Sequence, residues 1–387
     1  MSSATAAAAP VARSRKDPSR LSSLDGLRGV AAMSVVGEHC FLIFPIMWAA
    51  FGAAPAGHAA FPLWVRALTY SPLKLFWAGG PAVVIFFVLS GLVLSLPFWS
   101  GRPQTFRVYL VRRIFRLVPV YLLALGLSLG LYLAAGPLAR PDDSSWTGQA
   151  WHGVVTATDI VRAVFFMPSR MLLIDGPLWT LIHEMRISLI YPLLLLGMRR
   201  WPRLSLPASL AISVAALVAG RSLGSIPDLA NLMETVAQIW LFVAGGLIAR
   251  NLQWLRARLE PRSTIAIIGA VAVCVVLLAA RFTFPLPESV SYFATRGGAI
   301  GLVILTAADR RLIRILAARL PVFLGAISYT IYAVHFPILF TAMVFLPSLP
   351  LWIVAPVAVA VSIAVAYAIT RLIEVPLIRV GRRLAPT

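Results

Sequence analysis

Charge is scarce in this 387-residue chain. Only 12% of its residues are Asp, Glu, Lys or Arg, 60% are hydrophobic, and mean hydropathy is +0.87. Soluble domains carry roughly a quarter charged residues, so this scarcity excludes a water-exposed globular fold. Acids are scarcer than bases: 14 Asp and Glu face 34 Lys and Arg, a net charge of +20. In a soluble chain that surplus would point to nucleic acid. Here the bases fall between long apolar runs, as the positive-inside rule requires of a membrane protein, and no nucleic-acid partner is expected. The two cysteines, Cys40 and Cys274, stand singly in apolar segments and fit no CxxC or metal-ligand spacing. Packing is their expected role, and no metal is expected. Short alternating apolar and polar segments are lacking, which excludes a transmembrane barrel. Backbone groups cannot stay unpaired in lipid, so the spans are expected to be helices. No internal repeat of the kind found in inverted-repeat transporters is visible. Residues 1–23 lack an apolar core followed by a cleavage site. They are expected to form a disordered basic cytoplasmic tail rather than a signal peptide.

What the chain does have is ten apolar runs, each long enough to cross ~30 Å of hydrocarbon. They lie near 27–47, 77–97, 117–135, 176–198, 204–221, 233–250, 263–281, 290–307, 322–346 and 351–373, the eighth interrupted by Arg296 and three glycines. With the N-terminus inside, the internal connections 98–116, 199–203, 251–262 and 308–321 hold most of the loop arginines. The opposite loops hold most of the loop carboxylates, among them Asp142, Asp143, Asp159, Asp175, Asp228 and Glu288. The expected fold is therefore an all-α polytopic membrane protein of about ten transmembrane helices with both termini cytoplasmic. The longest loop, 136–175, is external in this topology and contains Trp146, Trp151 and His152. A loop of that length is usually functional or disordered.

Ionisable residues inside apolar runs are costly and mark candidate sites. Arg28 and His39 are eleven apart on the first span, within ~20° of one face and ~16 Å apart along the axis. Arg28 then lies near the cytoplasmic surface and His39 near mid-bilayer. Counting residues into the fourth and ninth spans puts Glu184 and His335 at the same depth as His39, ~12 Å and ~20 Å from their helix starts. Three co-levelled groups suggest a shared polar cavity, against the alternative of separately satisfied structural residues. A neutral His held by a carboxylate is a suitable general base for a hydroxyl. Glu38 adjoins His39 but points ~100° away on a helix, which leaves Glu184 as the expected partner. Arg186 could instead neutralise Glu184. Arg112, Arg113 and Arg116 precede the third span, and guanidinium groups bind phosphate bidentately. Ordinary positive-inside or lipid-headgroup charge is the plainer reading of that cluster.

Several motifs occur together. Leu24-Asp25-Gly26-Leu27-Arg28-Gly29 is followed by His39, and Phe86-Phe87-Val88-Leu89-Ser90-Gly91 lies on the second span. Arg112, Arg113 and Arg116 form an RRxxR pattern, and Trp179, Glu184 and Pro192 share the fourth span. Ser328-Tyr329-Thr330-Ile331-Tyr332-Ala333-Val334-His335-Phe336-Pro337 and Glu374-Val375-Pro376 complete the set. In this order, over about residues 24–380, they resemble the integral-membrane acyltransferase 3 family, whose members O-acetylate polysaccharides and other acceptors. The resemblance implies three parts: a basic tail at 1–23, an acyltransferase 3 transmembrane domain at 24–380 and a short tail at 381–387. It implies an acyl-CoA donor, most often acetyl-CoA, bound from the cytoplasm with Arg28, Arg112, Arg113 and Arg116 near its phosphates. His39 would be the base, with Arg28, Glu184 and His335 in the site. A carbohydrate or related hydroxyl would accept the acyl group, and the protein would sit in a bacterial inner membrane. Ile187-Ser188 replaces an aromatic pair that many members carry after the Glu. The soluble hydrolase-like domain that follows the membrane part in some members is not in this sequence, so direct transfer to the acceptor or to a separate protein is expected. A transporter or flippase for a glycan or lipid is the competing reading, since buried ionisable groups also suit one.

Overall fold

The computed structural model describes residues 18–101, 104–136, 145–151 and 153–386. It is 84% helical, with no strand among the described residues. The helices in chain order are α1 (Pro18–Leu42), α2 (Pro45–Gly52), α3 (Leu63–Thr69), α4 (Gly79–Trp99), α5 (Phe106–Ala135), α6 (Ser145–Gln149), α7 (Ala157–Val164), α8 (Met171–Ile174) and α9 (Leu178–Arg200). They continue as α10 (Ser205–Ser222), α11 (Pro227–Arg250), α12 (Leu252–Leu259), α13 (Thr264–Thr283), α14 (Glu288–Ala308), α15 (Arg310–Leu316), α16 (Arg319–Phe345), α17 (Leu351–Ile369) and α18 (Val375–Leu384).

Nine described helices, counting α17 through α18 as one, are long and apolar enough to cross a membrane. The tenth expected span is α1, which bends by 108° into α2. Two boundaries move for local reasons. The third span begins at Phe106, capped by the Thr105 hydroxyl, so Arg112, Arg113 and Arg116 lie on the helix itself rather than in a connection. The sixth begins at Pro227, whose missing N–H costs nothing at a helix start. The first helix starts at Pro18, inside the tail expected at 1–23, and residues 1–17 lie outside the described residues. So do Asp142, Asp143 and His152 of the long loop.

α16 is the most enclosed span and packs most extensively on α1, while α4 packs on α11. Small residues permit this contact. A Cβ on Gly29 or Gly325 would collide with backbone of the facing helix, and so would one on Gly91 or Gly245 at the α4–α11 crossing. Without those methyl groups the backbones meet directly, a common way to gain packing where lipid provides no hydrophobic drive. The glycines of the first two motifs are thus packing residues.

The arginine-rich connections define a basic end of the bundle. The C-terminus lies there too, because Arg112 at the start of α5 donates to the Ala385 carbonyl at 3.1 and 2.9 Å. At the opposite end α2, α3 and two 3₁₀ turns (Pro55–Ala60 and Pro72–Trp77) form a cap. Ser34 of α1 fastens that cap, donating to the Leu75 carbonyl and accepting from the Ala78 amide.

Candidate active site

His39 sits one turn before α1 ends, and His335 faces it from the middle of α16. His39 Nδ1 and His335 Nε2 are 2.8 Å apart, and His335 Nδ1 is 2.9 Å from the Ile331 carbonyl one turn back. A carbonyl only accepts, so His335 Nδ1 carries a proton. In the neutral ring its Nε2 is then the acceptor, and His39 Nδ1 must donate. That assignment leaves the His39 Nε2 lone pair free. The ring is held from both sides: it stacks on Trp146 (centroids 5.6 Å, 11°) and meets Phe336 edge-on (5.3 Å, 90°). His39, Glu38, Trp146, Trp179, Tyr332 and Phe336 line a cavity of about 390 Å³, floored by Gly79, Gly80, Gly176 and Pro177.

Glu184 is not the partner of His39. It accepts from Arg113 Nη2 at 2.8 Å and from the Ser90 hydroxyl at 2.9 Å. Arg113 Nε donates in turn to the Ser188 hydroxyl at 3.1 Å. Arg28 and Arg116 lie close enough to Glu184 to attract it, and Arg116 also feels Glu374. Arg28, Arg113, Arg116 and Glu184 line a cleft of about 10 Å³ with Ser90, Val93 and Leu94. A second cleft of about 20 Å³ continues from Arg28 and Glu184 past Phe86 and Thr180 to Tyr332. The expectation of one shared level is therefore corrected. His39 and His335 share one, and Glu184 lies with Arg28, nearer the basic end. Counting residues gives axial depth for straight, upright helices, but a carboxylate side chain reaches toward the nearest cations, here three guanidinium groups. Arg186 does not neutralise Glu184 either. It donates to Asn231, Thr235 and the Phe166 carbonyl, in a seam that also bonds His183 to Thr235 at 2.8 Å. The three arginines expected near phosphate do not act together. The cleft-lining pair is Arg113 and Arg116, and Arg112 ties down the C-terminus.

Glu374 stands at a π-turn (Thr370–Glu374) that links α17 to α18. Its carboxylate accepts from Thr330 and Thr370 hydroxyls at 2.9 and 3.2 Å, pinning that turn to α16. Two charged groups outside the spans had no expected role. Lys74 is fully buried in the second 3₁₀ turn, and its Nζ lies 2.9 Å from the centroid of Trp77. Burial pushes its ammonium down to about 7. Asp175, in the bend before α9, is fully buried and accepts from the Ser128 hydroxyl at 2.7 Å; burial holds its carboxyl well above the usual range. Neither was legible as buried, since each falls in a loop by composition. Trp146 carried no signal beyond its place in a long loop.

A family model described as an acyltransferase domain, that of the acyltransferase 3 family, matches residues 21–371. A curated protein of Rhizobium radiobacter, described as protein 2 in the picA locus, is 26% identical over 188 residues, 46% of this chain and 84% of that protein. No solved structure matches the chain.

Proposed function

The chain belongs to the acyltransferase 3 family, a membrane acyltransferase by its domain, and from that premise we propose that it moves an acetyl or similar acyl group from acyl-CoA to a hydroxyl of a carbohydrate or related acceptor. The observation that carries this reading is the His39–His335–Ile331 relay, whose free nitrogen belongs to the residue lining the 390 Å³ cavity. The acceptor hydroxyl donates to His39 Nε2. As its oxygen bonds to the thioester carbonyl carbon, the proton moves onto that nitrogen. Collapse of the tetrahedral adduct breaks the carbon–sulfur bond, and the leaving thiolate takes the proton back. His335 positions the base: its Nε2 accepts from His39 throughout and stabilises the imidazolium.

Donor binding belongs to the basic end. Arg28, Arg113 and Arg116 outnumber Glu184 and Glu374, so the cluster holds surplus positive charge for the phosphates of CoA. Arg28 and Arg116 have no hydrogen-bonded acid among the described residues, which makes them the main candidates. Arg112 is already bonded to Ala385. We place the basic end in the cytoplasm of a bacterial inner membrane, following the distribution of bases, and the acceptor on the far side. The test is mass spectrometry of surface glycans from cells carrying the wild-type chain or His39→Ala. The expected result is one acyl mass present in the first and missing in the second, with both proteins inserted. Wild-type acylation in the variant would exclude His39 as the base. Solute accumulation in vesicles without acyl-CoA would favour transport instead.

A further inference from the structure

The cavity beside His39 is not the largest at its end of the bundle. A second chamber of about 480 Å³ lies against it, between α4, α13 and α14. Glu38, Gly80, Val83 and Trp179 line both spaces, so the two are contiguous. The walls of the second chamber bring two guanidinium groups together. Arg281 near the end of α13 and Arg296 in α14 lie close enough to repel one another. Arg296 is held in place by its own helix: its guanidinium covers Tyr292 at 3.2 Å from the ring centroid, and Nη1 donates to the Tyr292 carbonyl at 3.1 Å. Its Nε is buried with no hydrogen-bond partner.

Two acids, Glu38 and Glu288, share this lining and offset its charge only in part. Glu288 is paired with Arg221 at 3.3 Å. Glu38 accepts from the Gly79 amide, and it is shared electrostatically between Arg281 and the buried Lys74. Lys74 Nζ points among Phe51 and Phe282, both of which line the chamber. Like charges held together cost energy unless an anion joins them. Trp179 supplies an exposed indole where the two spaces join, an aromatic face of the kind that covers sugar rings.

We propose that this chamber binds the acceptor through an anionic group, a sugar carboxylate in the first instance, held by Arg281 and Arg296 while Trp179 covers the ring and a hydroxyl reaches His39. That the ligand is the acceptor rests on the acyl-transfer reading above; that it binds does not.

The test is therefore made without acyl donor. The full chain is placed in phosphatidylcholine nanodiscs. Methyl β-glucuronoside and methyl β-glucoside, which differ only in the carboxylate, are titrated by saturation-transfer NMR. The uronide is expected to bind about tenfold tighter or more, the scale of a charge-assisted hydrogen bond. Arg281→Gln with Arg296→Gln is expected to bring the two ligands near parity, and the Lys variants to keep part of the preference. Parity in the wild-type protein, or a preference that survives the double Gln substitution, would overturn the proposal. Phosphatidylglycerol offers the same chemistry from a lipid headgroup. If its inclusion displaces the uronide completely, the arginine pair serves lipid and the proposal also fails. Failure of acyl transfer with a strong uronide preference would instead refute only the enzymatic reading.

Discussion

The two halves of the bundle solve the cost of buried charge in opposite ways. Toward the basic end, Arg113 and Glu184 are only 8% and 12% exposed, bonded to each other, and surrounded by clefts that each admit about one water molecule. Toward the other end, His39 lines one large cavity, and Arg281 and Arg296 line the next. The closed half is tightly filled around one buried ion pair; the open half is roomy, and its two arginines have no hydrogen-bonded carboxylate among the described residues. Between them stand Phe86 and Tyr332, ring to ring at 5.7 Å, with the Tyr332 hydroxyl bonded to Thr180 at 2.7 Å. On the reading proposed above, a donor arm passing along the Arg28 cleft toward His39 meets that pair. The comparison teaches that the side proposed for acyl-CoA is the gated one and the side proposed for acceptor is already open.

The largest effect is expected where pairing is tightest. Arg113→Ala removes the one guanidinium bonded to the buried carboxylate of Glu184, leaving Ser90 and the attraction of Arg28 and Arg116, and the expected loss is about 3 kcal/mol, the low end for a broken buried pair, read as a lower thermal midpoint in detergent. Arg113→Met with Glu184→Met removes both charges and is expected to recover much of it. A single substitution with no cost would show that the closed half is wetter than its geometry implies. Next is close packing. Gly325→Ala pushes a methyl group into the α1 backbone, and an overpacking cost of about 1–3 kcal/mol is expected in the same assay.

The gate gives a smaller, kinetic effect. Phe86→Ala is expected to lower the KM for acyl-CoA several-fold, because less of the binding energy goes into opening the cleft. An unchanged KM would mean that the donor takes another path.

Lys74 supplies a pH dependence in the cap of the open half. An unfolded chain keeps this proton up to its ordinary value of 10.5, whereas the folded protein releases it near 7. Between those values the unfolded state binds more protons, so stability is expected to rise with pH across that window. Lys74→Met should flatten the slope of thermal midpoint against pH. Asp175→Asn is the mildest change. Burial already penalises its charged form, and an amide oxygen can accept from Ser128 in its place, so a midpoint within about 1 kcal/mol of wild type is expected at neutral pH. A large loss would mean that Asp175 is ionised.

Much of this was readable in the sequence, and the failures share a cause. Hydropathy located the spans, but their ends shift where a helix runs on, as at Phe106, Pro227 and beyond Ile369, and the first expected span, 27–47, crosses the bend that ends α1 at Leu42. Spacing put Arg28 and His39 on one face of α1, and the structure keeps them at successive levels, each lining a cavity that also reaches Tyr332. The pairing of His39 with His335, 296 residues away, was legible only as a shared depth. Glu184 was misassigned because depth has one dimension, while partner choice depends on helix rotation, tilt and side-chain reach. Trp146 against His39 and Ser90 on Glu184 are contacts between distant segments, which no local pattern encodes, whereas Arg281 and Arg296 approach across the short α13–α14 turn.

The central claim is that the acyl group crosses from a donor at the basic end to an acceptor at the open end by way of His39. Sidedness tests it most directly. Inverted and right-side-out membrane vesicles from cells expressing the full chain would each receive labelled acetyl-CoA, which does not cross lipid. The account predicts labelled glycan inside inverted vesicles only, and none with His39→Ala. Equal labelling in both orientations, or labelling only when donor meets the open end, would contradict it.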